Sequence, residues 1–295
     1  MAAADFYWRG NGAGIKSAWA DGRNWVNAAG APYPQARYPG SSAGDHDGVY
    51  FDAALSTGAA SMAGYDASAL VYIATFAVGP LYDGTVGDAT TPVTLPVSVT
   101  TVRIVSTRSP GVYLSTNGAG AVLYMHDAAL LSLKGRWSTA YLFRGLCSVA
   151  AEAGGALNNL YIGYVSNVLG DVRLTIAAGV SMPAAGAYFQ VMGGTTTCAA
   201  QMDFMSINAG QWTQTGDITA LWMHGACKYI WADGSLDTAN VFAGLFDASG
   251  YSTPRVYVGI DVYPAGTVNL NNGLGNITGS TLTNYGGTIY TTPGA

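Results

Sequence analysis

The sequence has few charged residues. Asp, Glu, Lys and Arg make up 10% of the 295 residues, against about 25% in an ordinary soluble domain. Glu152 is the only glutamate, and Lys16, Lys134 and Lys228 are the only lysines. Helix surfaces are normally built from Glu, Lys, Gln and Arg, so this shortage argues against a helix-rich fold. The 12 basic residues form no basic stripe, so we expect no nucleic-acid partner.

From its pattern, the sequence is expected to lack three further features: a cysteine framework, a signal peptide and a membrane span. Cys147, Cys198 and Cys227 are an odd set with wide spacing, which fits neither a disulfide framework nor a zinc pattern and predicts buried thiols. The opening residues have no basic start followed by an apolar stretch, so we expect no signal peptide. No apolar run is long enough to cross a bilayer, so we expect no membrane partner.

What the sequence does contain is a series of short runs of strand-forming residues. Each run has three to five such residues, and Gly, Asn, Asp, Ser or Pro follows almost every one. Representative runs lie at residues 102–105, 112–114, 121–125, 172–176, 188–192, 220–223, 229–231 and 256–260. Long helical windows between the runs are missing, which excludes βαβ units.

This pattern predicts an all-β fold, and within that class a right-handed single-stranded parallel β-helix. In such a fold each layer buries its inner face only against neighbouring layers. The 40 glycines suit tight corners, and parallel crossovers favour the right hand. Because the repeat is irregular, a large sandwich or jelly roll stays open as an alternative.

The first 65 residues differ from the rest in their dense aromatic residues. We predict a capping module at residues 1–65 and a β-helix body at residues 66–295. The end of a stack of strands exposes apolar surface and unpaired strand edges, so a different structure is needed to close it. Large aromatic side chains, among them Trp8, Trp19 and Trp25, are suited to that task.

The N-terminal motifs resemble a known module. They are Trp8-Arg9-Gly10, Ser17-Ala18-Trp19, Asn24-Trp25, Pro39-Gly40 and Asp47-Gly48-Val49-Tyr50-Phe51-Asp52. This series resembles the opening of autotransporter-like β-helix proteins and of bacteriophage virion proteins, such as capsid decoration and spike proteins, that share the module. Residues 64–70 and 84–87 resemble the first layers of those phage proteins, and residues 282–289 resemble a Gly-Gly layer. The resemblance implies a right-handed parallel β-helix with Asp47, Phe51 and Asp52 as part of the cap, and it implies no enzyme class.

The acidic residues are scattered, mostly beside glycine. Asp21, Asp47, Asp83 and Asp233 each precede Gly, and Asp-Gly is a turn pair because Asp hydrogen-bonds to nearby backbone while Gly accepts a positive φ. Glycan-cleaving enzymes need paired carboxylates in a groove. We therefore interpret these acids as turn formers and predict no catalytic residues and no cofactor.

An acidic cluster near residue 46 and two isolated histidines are the candidates for a metal site. Asp45, His46 and Asp47, with Asp52 nearby, could hold Ca²⁺ through oxygen ligands, but the spacing fits no EF-hand and a structural loop is preferred. His126 and His224 lie at the ends of apolar runs, with no His or Glu at ligand spacing. We interpret both as histidines at corners of the fold and predict no metal site.

Five aromatic residues in the last third are candidates for a binding surface. Trp212, Trp222, Tyr229, Trp231 and Tyr257 could form a sugar-stacking groove. Alternatively, they could form aromatic ladders or a subunit interface, where Tyr and Trp are enriched. The ladder or interface interpretation is preferred.

The resemblance of the N-terminal motifs, together with the expected absence of a signal peptide, favours a non-enzymatic bacteriophage structural protein that decorates or stabilises the capsid by binding the shell. Its expected location is the virion, and its expected partners are the major capsid protein or other virion proteins, with a homotrimer as a guess. One alternative is a receptor- or glycan-binding fibre of the tailspike class, which could also cleave glycans. Another is an adhesin passenger of autotransporter type.

Overall fold

The computed structural model describes residues 3–10, 19–41, 46–52, 61–67, 73–106, 108–116, 118, 120–152, 155–163, 171–182, 188–271 and 276–291. Within these ranges the chain is all-β, and the only helix is a 3-10 turn at Gly22–Asn24. The chain forms two compact units, Met1–Gly155 and Ala156–Ala295. No helix in the described ranges is long and apolar enough to cross a membrane.

The first unit contains ten strands. They are β1 (Asp5–Trp8), β2 (Trp25–Val26), β3 (Asp47–Phe51), β4 (Ile73–Val78), β5 (Val93–Leu95), β6 (Thr101–Ser106), β7 (Val112–Thr116), β8 (Val122–Ala128), β9 (Leu131–Leu142) and β10 (Gly145–Val149).

Parallel pairing arranges the strands of the first unit in two columns. One column runs β1, β3, β4, β6, β8 and the second half of β9. The other runs β5, β7, the first half of β9 and β10. Strand β9 therefore belongs to both columns and bends between them at Gly135, whose φ is +76°. Inward side chains stack in register, as Val49, Phe76, Val102 and Leu123 do, and each of these is fully buried.

The second unit contains the other ten strands. They are β11 (Ala156–Ile162), β12 (Val172–Ile176), β13 (Tyr188–Cys198), β14 (Met202–Gln214), β15 (Ile218–Met223), β16 (Cys227–Trp231), β17 (Ser235–Asp247), β18 (Arg255–Asn269), β19 (Ile277–Asn284) and β20 (Thr288–Tyr290).

Two parallel columns also form the second unit, and the long strands cross from one to the other. The first half of β14 pairs with β15 and its second half with β16, and both of these short strands then pair with β17. Strand β18 follows β17 along its whole length and carries β19 and β20. Each passage through both columns is called a layer below.

The burial pattern repeats from layer to layer in the second unit. In β15, Ile218 points inward, the next two side chains outward, Leu221 inward, Trp222 outward and Met223 inward. The equivalent stretch of β17, residues 236–241, has the same order. Two consecutive outward residues interrupt the strict alternation of a flat strand, so the chain turns a corner there while its pairing continues.

Glycine makes the bend between the two columns possible. Gly210 has a φ of +84°, and a Cβ on it would lie 2.6 Å from the carbonyl oxygen of Gly194 in the layer before. Gly244 has a φ of +85°, and its Cβ would lie 2.6 Å from the carbonyl oxygen of Cys227. Only glycine accepts both the left-handed backbone and the close approach of the next layer.

Strand pairing and compactness bear on two predictions, the sandwich or jelly-roll alternative and the boundary between cap and body. Antiparallel pairing, which a sandwich or jelly roll requires, occurs between β1 and β2 and at one bridge between Val26 and Pro32, whereas the two columns described for each unit are parallel. The predicted boundary between residues 65 and 66 falls inside the first compact unit. The division into cap and body therefore stays a prediction.

Replacing a bend glycine should destabilise the protein. We expect Gly210→Ala to lower the melting temperature, because a left-handed backbone costs an L-residue about 1–2 kcal/mol even before the clash with Gly194. Gly259→Ala is the matched control, since a Cβ there meets nothing within 4 Å and no positive φ is required. Differential scanning calorimetry measures both melting temperatures. Equal values for the two variants would contradict the conclusion that the bend requires glycine at position 210.

Candidate functional site

The predicted cap aromatics pack into one buried cluster. Trp25 lies at its centre, with ring centroids 5.0 Å from Trp8, 5.2 Å from Trp19 and 6.0 Å from Phe51, all in edge-to-face geometry. The indole N–H of Trp25 donates to the carbonyl of Trp19 at 2.9 Å, and that of Trp19 donates to Pro39 at 3.2 Å. All four rings are fully buried. Their role as the cap of a β-helix remains a prediction.

Asp47 joins the loop around residue 40 to the first strands. Its carboxylate is fully buried and accepts hydrogen bonds from the backbone N–H of Gly40 at 2.9 Å and of Ala4 at 3.2 Å. Arg37 lies 3.3 Å away and supplies the opposite charge. A buried carboxylate is tolerated only with such partners. Asp52 is half-buried. Burial is the main cause that raises the pKa of Tyr7, and the negative charges of Asp5 and Asp52 add to this effect.

The geometry around the predicted metal candidates favours structural roles. His46 is exposed, Asp45 lies outside the described residues, and Asp47 is engaged as above. Exposed His126 packs on Phe143 at 5.0 Å. Across the described ranges no group of three His, Cys, Asp or Glu side chains is placed to hold a metal ion.

Four of the five candidate surface aromatics are buried instead. Trp212, Tyr229 and Trp231 are fully buried and Tyr257 is 8% exposed, which corrects the prediction of a surface role for them. Trp212 and Tyr229 are adjacent in register, and Tyr229 stacks on Phe246 at 5.3 Å. Trp222 alone of the five is exposed, at 43%.

Of the three fully buried aromatics, Trp212 has a hydrogen-bond partner for its indole N–H, whereas the Tyr229 hydroxyl and the Trp231 indole N–H have none among the described residues. The amide oxygen of Gln214 accepts the indole N–H of Trp212 at 2.8 Å, while its NH₂ donates to the carbonyl of Ala200 at 2.8 Å. Arg255 is 1% exposed and donates to the carbonyls of Trp231, Ala248 and Tyr251. Burial lowers the pKa of Arg255, with Asp233 and Asp247 acting in the opposite direction. Both polar side chains are therefore part of the core.

A second set of aromatic side chains forms a strip on the outside of the second unit. We call it the aromatic strip, and its members are Phe204, Trp222, His224, Phe242, Tyr263 and Tyr285. Register creates its stacked part, because Met223, Val241, Val262 and Asn284 are paired in successive strands, and the residues after them are His224, Phe242, Tyr263 and Tyr285. Trp222 and Phe204 extend this part through edge-to-face contacts.

Stacking within the aromatic strip decides what it can bind. His224 and Phe242 lie 5.0 Å apart at 8°, Phe242 and Tyr263 4.5 Å apart at 24°, and Tyr263 and Tyr285 5.1 Å apart at 20°. From His224 to Tyr285 each ring covers a face of its neighbour, whereas Trp222 meets Phe204 at 81° and His224 at 79°. Sugars stack on ring faces, so the stacked part of the strip suits an adhesive protein contact better than a glycan platform.

The polar side chains beside the aromatic strip come from the next outward row. Trp222 pairs with Asn240, Asn240 with Asp261, and Asp261 with Thr283. An exposed aromatic row with a polar margin is the composition of a protein–protein interface.

Sequence reasoning missed most of the aromatic strip. Of its members only Trp222 and His224 were singled out, because the other four stand in unremarkable runs. A signal does exist, since an inward–outward–inward triplet precedes the aromatic residue in three layers, at residues 221–224, 239–242 and 260–263. The intervals between these layers are unequal, so the motif is visible only once the register is known.

Several carboxylates hold turns and loops. Asp217 accepts from the backbone N–H of Ser235 at 2.7 Å and from its hydroxyl at 2.8 Å. Hydrogen bonds from Thr90 and Thr91 hold the pKa of Asp88 well below its usual range. Burial raises the pKa of Asp247, but hydrogen bonds from Ser249 and Lys228 outweigh it and the net pKa is lowered. Two of the acids predicted as turn formers behave in the same way, since Asp21 accepts from the backbone N–H of Arg23 at 3.0 Å and Asp233 from that of Gly234 at 2.9 Å.

One concave site lies near the start of the aromatic strip. It has a volume of about 500 Å³ and is lined by residues 179–182 and 201–203. Its one carboxylate, Asp203, accepts a hydrogen bond from the Thr219 hydroxyl at 3.3 Å. Beside Ser181, Gln201 and two methionines, this single carboxylate has no second carboxylate to form an acid–base pair with.

Comparison with known proteins found no match among protein-family models, curated proteins or solved structures. Membership of a family is therefore not shown. The resemblance of the N-terminal motifs to phage virion modules stays a prediction.

Truncating the central tryptophan of the buried cluster should be costly. We expect Trp25→Ala to lose about 3–5 kcal/mol of unfolding free energy, the usual range for a buried aromatic, and to aggregate as strand edges become exposed. Trp222→Ala, at 43% exposure, is the control and should change stability little. Urea denaturation gives both values, and an unchanged midpoint for Trp25→Ala would show that the cluster does not support the fold.

The three thiols should be unreactive in the folded protein. Burial raises the pKa of Cys147 and of Cys198 to about 12, and raises that of Cys227 as well. Because the thiolate is the nucleophile, Ellman's reagent at pH 8 should detect almost no thiol until denaturant is added, and then all three. Rapid labelling of the native protein would contradict this burial.

Proposed function

We propose that this chain is a non-enzymatic structural protein of a bacteriophage virion, built as a right-handed parallel β-helix. It decorates the capsid by binding the outer shell, with the major capsid protein or another virion protein as its partner. The N-terminal motifs support this assignment by resemblance. The parallel columns in each unit support the β-helix, and the right hand follows from the general preference of parallel crossovers.

The observation that carries the proposal is the aromatic strip. From His224 to Tyr285 its rings are restrained by stacking on their neighbours, so little side-chain freedom is lost when a partner binds. Trp222 is 43% exposed and Tyr285 56% exposed, and Trp and Tyr are the residue types that contribute most at protein interfaces. An aromatic row that is exposed at Trp222, His224 and Tyr285 and half-buried between them marks an interaction surface on a charge-poor protein.

The capsid shell is a suitable partner because it is built from many copies of the same subunit. A particle offers many equivalent sites, so modest affinity at each copy is enough when neighbouring contacts cooperate. A protein that binds the assembled shell better than free subunits stabilises the shell by mass action. The chemistry needed is adhesion alone, and the turn-forming use of Asp88, Asp217 and Asp247 is consistent with it.

Virions made from a genome that encodes the chain provide the test. We expect the chain to co-purify with wild-type particles through a density gradient. Trp222→Ala should cut the retained copies roughly tenfold or more, because losing an interface hot spot costs about 2 kcal/mol or more. Tyr251→Ala, at an exposed aromatic outside the strip, is the matched control and should be retained. Quantitative mass spectrometry of the particles measures each value.

Three results would overturn the proposal or part of it. Wild-type protein found only outside the particles would remove the virion assignment. Equal retention of Trp222→Ala and wild type would remove the aromatic strip as the contact. Depolymerisation of host polysaccharide by the purified chain, lost on Asp→Asn substitution, would favour the tailspike class instead.

A further inference from the structure

Within the described residues, the last layer of the second unit has an open edge. Strands β19 and β20 each pair with β18 on one side, and no strand of the described residues pairs with the other side. Most side chains of β19 are exposed, and Tyr285 and Tyr290 are 56% and 55% exposed. An unpaired edge presents a row of free N–H and C=O groups that can pair with another strand.

This edge lacks the usual protection against pairing. Natural edge strands carry Lys, Pro or a bulge that prevents another strand from docking. Asp261 is the last charged residue of the sequence, and residues 262–295 contain no Asp, Glu, Lys, Arg or His. Strand β19 reads ITGSTLTN, without proline. Its pairing with β18 has no register shift from Gly259 to Val262.

The open layer continues the rows of the stack beneath it. Leu282 lies in register over Ile260 and Ile289 over Val268, while Tyr285 stacks on Tyr263 with its ring at 5.1 Å. One face of the Tyr285 ring is covered by Tyr263. A strand docked on β19 would cover the other face and satisfy the free backbone groups, which is β-strand addition.

We propose that the occupant is the same edge of a second copy of this chain, with the two β19 strands antiparallel across a twofold axis. A self-pairing surface must not repel itself, and an uncharged edge meets that condition. Pairing of β19 with β1 of another copy is disfavoured because β1 already has β2 and β3 as partners. Strand β19 of one copy therefore pairs with β19 of the other, and a twofold contact of this kind closes after two chains. This inference does not depend on the proposed function.

Sedimentation velocity of the purified 295-residue chain tests the inference. We expect a species of twice 30.4 kDa. Thr281→Lys places a charge in the middle of the exposed edge, where two copies would bring like charges together, so it should sediment as a monomer. Ser280→Lys serves as a second edge variant, and circular dichroism should show that both keep their fold.

The matched control is Thr238→Lys. Thr238 is also exposed and lies in the same row, since it pairs with Gly259 and Gly259 with Thr281. It belongs to β17, whose edges are both occupied, so its variant should remain a dimer. A monomeric or trimeric wild type, open-ended polymers, dimers retained by both edge variants, or a monomeric Thr238→Lys would each overturn the inference.

Discussion

In-register parallel pairing is the constraint on which the rest of the structure depends. It satisfies backbone hydrogen bonds between layers and also places each inward side chain directly over an equivalent one. In the second unit Met205, Leu221, Ala239 and Ile260 form such a row, and each is buried. The same pairing brings the backbones close together at each bend, which is why Gly210 and Gly244 have no room for a Cβ.

The low charge of the sequence follows from this constraint. A side chain in a stack has a near-identical neighbour about 4.8 Å above and below, and like charges at that distance destabilise the pair. Stacked rings and hydroxyls do not repel, so outward rows are filled with Tyr, Phe, Thr and Asn. The part of the aromatic strip from His224 to Tyr285 is one such row. Its order comes from the fold, and the function proposed for it uses an arrangement that folding already provides.

Much of the fold could be predicted from composition and local pattern. Short runs of strand formers ended by turn residues predict strands, and the scarcity of Glu and Lys argues against helices. Register could not be predicted, because successive layers are unequal in length. From Met202 the positions paired in turn are Ile218, Leu236, Tyr257 and Gly279, at intervals of 16, 18, 21 and 22 residues. No fixed period links them.

For the same reason, the local sequence pattern could not predict which aromatic side chains point inward and which point outward. Trp212 and Trp222 both lie within strands, yet Trp212 is fully buried and Trp222 is 43% exposed. Two consecutive outward residues at each corner and the bend at Gly210 shift the alternation, so inward and outward positions cannot be counted along the sequence. The N-terminal cluster was easier to anticipate, because its tryptophans stand beside turn residues in a segment with its own composition.

Electron cryomicroscopy of intact virions is the most direct test of the central claim, that a stack of parallel layers presents an ordered aromatic row to a viral shell. The account predicts density for this chain on the particle, with strands about 4.8 Å apart and with Trp222, Phe242 and Tyr263 facing the capsid. Particles without such density, or density in which these residues face solvent, would contradict the account.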